Sequence, residues 1–375
     1  MRVAIVAGPD PARAFPAVAL SRGMVANGDR VVLLTGSRWL PRLDQLGVPA
    51  EELPGLTGDP GSTQELVYRS PDGAAAMTPA LVARLKALRP DLVVADVKTP
   101  AGGFAAELLD LPWAQLHPHP LMFSGQAAQL GRNRRAAGSR DRRRSRPTMH
   151  RRSQRVLSEA RRAIGLPPEG SSPLLHLVAT LPALEPSRPD WPNNASVVGP
   201  LTWDPAEHDL REPEGSEPLA VVCPSTAATD KAGLLDAALA GLRGLRVAGV
   251  VLDPWTKTVP QWATVGVGRI EPLLAHASVI VTGGGHGVLV RALMAGVPLV
   301  LVPGDRDQLA LARRAEALGA AVLLRRVSPH GIRRAVDKVL GDREYAANAR
   351  QIARAVATAD PVVLCHQALV GRPTS

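Results

Sequence analysis

Short runs of β-branched and aliphatic residues alternate with helix-periodic stretches along nearly all of this chain, and that alternation leaves few folds open. Residues 3–6 read as a strand. Residues 15–27 follow as a helix, with Ala19, Leu20, Gly23 and Met24 on one face, and residues 31–34 as the next strand. Helix 81–88, strand 92–95, helix 102–109 and strand 113–116 continue the pattern. A second series predicts strands at 219–223, 246–252, 278–282 and 299–302. Its helices cover 288–295 and 308–318, and an earlier one, which Thr229 caps, carries Leu234, Leu235, Ala238 and Leu239. Such βαβ alternation specifies parallel sheets covered by helices on both faces. The fold class is therefore α/β, with two Rossmann-like, doubly wound domains.

The chain is 375 residues long, enough for two cores. We expect an N-terminal domain over residues 1–200, a linker over 201–217 and a C-terminal domain over 218–375, its last helices packing back on the first domain. Ligands of doubly wound sheets bind at the carboxyl ends of the strands, so a central cleft faced by both sheets is expected. The net charge of +10 is local. Residues 131–162 hold thirteen Arg against Asp141 and Glu159, a charge of +11 that leaves −1 for the remainder. Within it, 131–147 is almost free of apolar residues and reads as a mobile loop. Residues 149–164 read as an amphipathic helix, with Met149, Val156, Leu157, Ala160 and Ile164 on one stripe. Two uses are open for this segment, a plain solvated loop or peripheral attraction to anionic lipid. Nucleic acid is not an expected partner, because no aromatic residues interleave with the Arg for base stacking. Cys223 and Cys365 alone form no disulfide framework or metal motif, and no run approaches the roughly twenty apolar residues of a membrane span. A cytoplasmic protein, peripheral to membrane if anything, is the expectation.

The most informative stretch runs from Val279 to Pro303. A hydrophobic strand enters Thr282-Gly283-Gly284-Gly285-His286-Gly287-Val288 and then a helix. Without Cβ atoms, backbone amides there approach a ligand closely, and a helix N-terminus carries roughly half a positive charge. Such a loop suits a phosphate or diphosphate. A following strand leads to Gly304-Asp305-Arg306-Asp307-Gln308, which opens another helix, with Asp307 and Gln308 placed to hydrogen-bond sugar hydroxyls. A P-loop would need Gly-Lys-Ser/Thr, and Gly283-x-Gly285-x-x-Val288 supplies only two of the three dinucleotide glycines.

With these residues in view, the chain resembles glycosyltransferases of the GT-B fold, in the bacterial family 1 that uses UDP- or TDP-sugars on antibiotics, macrolides and lipids. The matching residues are Leu273-Leu274, Thr282, Gly284-Gly285-x-Gly287, Ala292-Leu293-x-x-Gly296-Val297-Pro298, Pro303 and Asp307-Gln308. In the first half, residues 16–20, Gly28 with Val31, Pro90-Asp91-x-Val-Val-x-Asp96 and Gly165-Leu166-Pro167-Pro168 fit. So do the segment 184–192 and Gly199. The resemblance implies transfer of a sugar, with inversion, from a nucleotide diphosphate to a hydroxyl of a small-molecule or lipidic acceptor; that acceptor is expected to be hydrophobic, or acidic because Arg13 would suit a carboxylate or phosphate. It places the donor in the second domain, with Ser225, Thr226, Gly283, Gly284, Gly285, His286, Gly287, Val288, Asp307 and Gln308 as contacts, and the acceptor in the first. It implies no cofactor and no metal, because the helix and glycine amides stabilise the leaving diphosphate.

Three positions depart from the family. Its catalytic base, a His three residues before the first-loop Pro, is Arg13 here, which is permanently protonated and cannot abstract a proton. Asp96 stands where the family's base-orienting carboxylate lies, open to either catalysis or a salt bridge with Arg13. The phosphate-binding His after Thr282 is Gly283, with His286 three residues on, placed either on the diphosphate or as a helix cap. The acidic ribose-binding position is Arg291. His117 and His119 follow a predicted strand at its carboxyl end and are either substitute bases and acceptor contacts or plain loop residues. Two other readings stay beside sugar transfer. One is a non-catalytic sugar-nucleotide-binding or auxiliary homologue. The other, disfavoured because the loop from Gly8 to Arg13 lacks dinucleotide glycines, is a Rossmann-type oxidoreductase.

Overall fold

The computed structural model describes residues 1–57, 64–121, 155–185, 189, 191–224, 233–251, 257–355, 357 and 359–370. The Arg-rich segment up to residue 154, Thr229, and Ser225 and Thr226 lie outside these residues. Contacts divide the chain into two units. The first is Met1–Thr180, Ser187–Trp203 and Thr358–Ser375; the second is Leu181–Pro186 and Asp204–Ala357.

The first unit is built on seven parallel strands: β1 Arg2–Val6, β2 Arg30–Thr35, β3 Ala50–Glu52, β4 Leu92–Asp96, β5 Trp113–His117, β6 Leu175–Val178 and β7 Ala195–Val197. They lie in the order β3-β2-β1-β4-β5-β6-β7. β1 pairs in register with β2 on one side (Ile5 to Leu33) and β4 on the other (Ile5 to Val94). Both faces of β1 and β4 are covered, so Val3–Val6 and Leu92–Asp96 are buried throughout. That is why Val3–Val6 and Leu92–Ala95 read as continuous apolar runs rather than alternating ones.

The helix Pro11–Ala26 buries Ala14, Ala17, Val18, Ser21 and Met24, a stripe at helical spacing. It begins four residues earlier than the periodicity predicts, because Pro11 occupies the first helical position, where a fixed φ and a missing N–H cost nothing. Arg13 therefore sits in the first helical turn rather than in a loop. The helix Pro361–Val370 also belongs to this unit. Its Val362 and Cys365 are buried in the same cluster as Leu20 and Met24, and His366 Nε2 lies 3.0 Å from Asp29 Oδ2.

The second unit has six parallel strands: β8 Leu219–Cys223, β9 Arg246–Val250, β10 Ala263–Gly266, β11 Ala277–Thr282, β12 Leu299–Leu301 and β13 Ala321–Leu323. Their order is β10-β9-β8-β11-β12-β13. In both sheets the direction of winding reverses once, between β1 and β4 and between β8 and β11. Loops leaving the carboxyl ends of those strands diverge and leave a crevice. Five strands, β3, β6, β7, β10 and β13, are additions to the sequence expectation, four of them on sheet edges.

Candidate functional site

In the second unit, β11 delivers the glycine loop to its sheet's reversal point. Thr282 is fully buried and its Oγ1 accepts from the Gly284 amide at 3.4 Å. Gly284 has φ +82°, and a Cβ there would meet Leu301 and the Gln308 carbonyl only at ordinary distances of 3.7 and 3.8 Å. Backbone geometry, not space, therefore demands glycine at this position. Gly285 is the N-cap of the helix His286–Met294 and offers no side-chain cap, so no capping side chain meets the first-turn amides. Gly287 has nothing within 4 Å of where a Cβ would lie. His286 is half-buried at the first helical position, and Val288 packs on the core below.

The next loop lies alongside, because Thr282 pairs with Leu301 and the Val302 amide donates to the Thr282 carbonyl at 2.9 Å. Asp305 caps the helix Arg306–Ala317 by accepting from the Gln308 amide at 2.8 Å. Gln308 Oε1 in turn accepts from the Gly304 amide at 2.7 Å. The Asp-Gln pair thus divides its labour: Gln308 is buried and shapes the turn, while Asp307 is exposed in the first turn. Arg291, one turn into the glycine-loop helix, faces Asp204 at 3.5 Å and Glu271 at 3.3 Å. Burial raises the Glu271 carboxyl, and Arg291 opposes that rise.

In the first unit, the loops after β1 and β4 are tied together. The Gly8 amide donates to Thr99 Oγ1 at 2.9 Å, and Thr99 Oγ1 donates to Asp96 Oδ2, also at 2.9 Å. Asp96 Oδ2 accepts from the Lys98 amide as well, at 3.0 Å. Gly8 is required, since a Cβ would overlap the Tyr68 ring. The Tyr68 hydroxyl donates to Asp10, and Arg69 pairs with Asp10 at 2.7 Å. The Pro9 carbonyl accepts from Arg38 and from the Trp39 indole. Phe15, Trp39 and Trp203 stack edge to face beside it, with centroids 5.1–5.9 Å apart.

Arg13 Nη1 stands 3.7 Å from Asp96 Oδ1, too far for a hydrogen bond. Arg13 Nε and Nη1 and Asp96 Oδ1 are all buried without a hydrogen-bond partner among the described residues. Burial pushes the Asp96 carboxyl up; Arg13 pulls it down, but burial wins. His119 is half-buried, and its Nδ1 lies 2.9 Å from the Pro120 carbonyl. Burial first, then Arg13 and Lys98, push its imidazole down to about 4. His117 faces elsewhere, with its Nε2 3.0 Å from His176 Nδ1. Arg13 thus acts on both Asp96 and His119, while His117 joins β5 to β6. Lys98, Thr99 and His176 were not singled out by the sequence. Thr99 follows Asp96 by three residues, a spacing that could have suggested it; His176 sits on an unread strand. Among the described residues no three His, Cys, Asp or Glu side chains gather as a metal site requires.

Comparison with known proteins follows the same lines. Residues 254–366 match the family described as erythromycin biosynthesis protein CIII-like, C-terminal domain. The chain is 30% identical to 4'-demethylrebeccamycin synthase of Lentzea aerocolonigenes, over 96% of this chain and 97% of that protein. It is 28% identical to O-mycaminosyltylonolide 6-deoxyallosyltransferase of Streptomyces fradiae, over 95% and 94%. Among solved structures, the glycosyltransferase of kitacinnamycin superposes with a TM-score of 0.75 at 22% identity, covering 98% of each chain. The spinosyn rhamnosyltransferase SpnG complexed with thymidine diphosphate gives 0.70 at 21%, covering 98% of this chain and 99% of that one.

Proposed function

Because this chain belongs to the GT-B glycosyltransferases of antibiotic biosynthesis, we propose that it moves a sugar from a nucleoside diphosphate to a hydroxyl of a small-molecule acceptor, with inversion. One observation carries the donor half: an uncapped helix N-terminus and a glycine loop at the reversal point of the second sheet, with the Asp305–Gln308 turn alongside. First-turn amides and the helix dipole offer positive charge to a diphosphate. As the bond from the anomeric carbon to the diphosphate oxygen breaks, negative charge grows on that oxygen. Donors fixed beforehand stabilise it at no reorganisation cost, in the role a bound cation would otherwise fill. On this reading Gly283–Gly287, His286 and Val288 meet the diphosphate and Asp307 the sugar. Gln308 holds the turn in shape. Ser225 and Thr226 join the donor contacts on the strength of the sequence resemblance.

The nucleotide follows the thymidine diphosphate held by the rhamnosyltransferase neighbour; TDP or UDP is the donor class. Arg291 engages two carboxylates where an acid would hold ribose, which favours a donor making few ribose contacts there. Peripheral attraction of the Arg-rich stretch to anionic lipid is a separate proposal, tested by salt-sensitive vesicle binding. The test of the main reading is turnover. Incubation with a TDP- or UDP-sugar and a hydroxylated acceptor should release nucleoside diphosphate and yield the product of inverted anomeric configuration. A retained configuration, or no release with any donor, contradicts it.

A further inference from the structure

The sugar-transfer reading leaves the acceptor's chemistry open, and the first unit speaks to it. Arg13 is 12% exposed, yet two of its guanidinium nitrogens have no hydrogen-bond partner among the described residues, and neither has the facing oxygen of Asp96. Burying an ion is costly unless its hydrogen bonds are completed. The same chain does complete one elsewhere. Arg161, also buried, donates to both oxygens of Glu107 and to the Pro167 carbonyl. Arg13 is left incomplete.

The local charge balance points the same way. Lys98 is exposed two residues beyond Asp96 and has no ion pair among the described residues. Asp10, the other nearby acid, is taken by Arg69 and Tyr68. Asp96 is itself held towards its neutral form by burial. The surplus here is positive. Burial first, and then both cations, push the His119 imidazole down, and its Nδ1 must be the protonated nitrogen because the Pro120 carbonyl can only accept; the lone pair is then on Nε2.

We propose that this face of the first unit binds an acceptor bearing an anionic group, a carboxylate or phosphate, against Arg13 and Lys98, and that His119 receives the proton of the attacking hydroxyl. This rests on the sugar-transfer reading. In the step, the hydroxyl oxygen bonds to the anomeric carbon and its proton passes to His119 Nε2. The bond from that carbon to the diphosphate breaks, and the nucleoside diphosphate leaves with the electron pair. The bound anion also neutralises Arg13, one of the two cations that weaken His119 as a base.

The test is calorimetric titration of the full chain with three probes: 4-hydroxyphenylacetate, its methyl ester, and 4-hydroxybenzyl phosphate. The proposal expects one or both anions to bind at least tenfold tighter than the ester, the better of the two naming the group. It expects Arg13→Gln to erase that preference, a loss on the scale of one charge-assisted contact. In a parallel NMR titration, the acid should raise the His119 pKa in the wild type, and Arg13→Gln should raise it without any acid. His119→Gln should keep the anion preference and slow transfer by about 10²–10⁴-fold. Equal binding of acid and ester, or a preference that survives in Arg13→Gln, overturns the anion site. Transfer unslowed in His119→Gln overturns the base. TDP and UDP titrations run alongside report on the donor reading alone, so its failure is separately visible.

Discussion

Arg161 and Glu107 close a buried ion pair through two hydrogen bonds, Nη1 to Oε1 at 3.0 Å and Nη2 to Oε2 at 2.6 Å. The pair ties the helical residues 155–163 to the helix Pro100–Leu108, and the Ser171 amide donates to the same carboxylate. Removing one member leaves a buried charge without its partner. Arg161→Met should therefore cost about 3–5 kcal/mol in chemical denaturation. Arg13→Met should cost much less, because Arg13 forfeits no hydrogen bond and Asp96 can protonate. Similar losses at the two positions would mean that the 3.7 Å contact between Arg13 and Asp96 holds the fold together after all.

A second expectation concerns pH. Burial raises the Asp29 carboxyl, but the N-terminal ammonium, His366 and Asn27 outweigh it and hold Asp29 below its usual 3.8. A carboxyl depressed in the folded state adds stability at pH values above its unfolded pKa, and that stability fades as pH falls through the folded value. Asp29→Asn should thus lower Tm near neutral pH, and the gap to wild type should close below about pH 4. A gap that stays constant down to about pH 3 would remove Asp29 from the pairing with His366.

Much of the fold was legible because strands buried on both faces must be almost wholly apolar, as Val3–Val6, Leu219–Cys223 and Val279–Val281 are. The unread strands lacked that signal. β3 is Ala-Glu-Glu and β7 Ala-Ser-Val, while β13, Ala-Val-Leu, is apolar but too short to stand out; each is three residues on a sheet edge with one neighbour. With β6 unread, nothing in the sequence could show that His117 would meet His176. The glycine loop was readable because close backbone approach leaves a compositional mark. The gap between Arg13 and Asp96 leaves none, since it depends on where the first helix begins.

Gly287 separates structure from function in the donor loop. Its Cβ position is open and its φ is not positive, so Gly287→Ala should leave stability unchanged or raise it by about 0.5 kcal/mol. If a diphosphate docks there, the added methyl should weaken nucleotide affinity severalfold in the same protein. Gly284→Ala differs: at φ +82° it should cost roughly 1–2 kcal/mol of folding stability. Tight nucleotide binding by Gly287→Ala would move the diphosphate away from this turn.

The central claim is that the second unit binds a nucleoside diphosphate on its glycine loop, and the most direct measurement is ligand-induced stabilisation of the full chain by TDP, UDP, GDP and NAD. At about 100 times its dissociation constant, the cognate nucleotide should add roughly 2.7 kcal/mol to unfolding. TDP or UDP should do so, and His286→Ala should raise the dissociation constant about tenfold, as expected for one lost charge-assisted hydrogen bond. Stabilisation by NAD alone, by none of the four, or by TDP undiminished in both His286→Ala and Gly287→Ala would contradict the account.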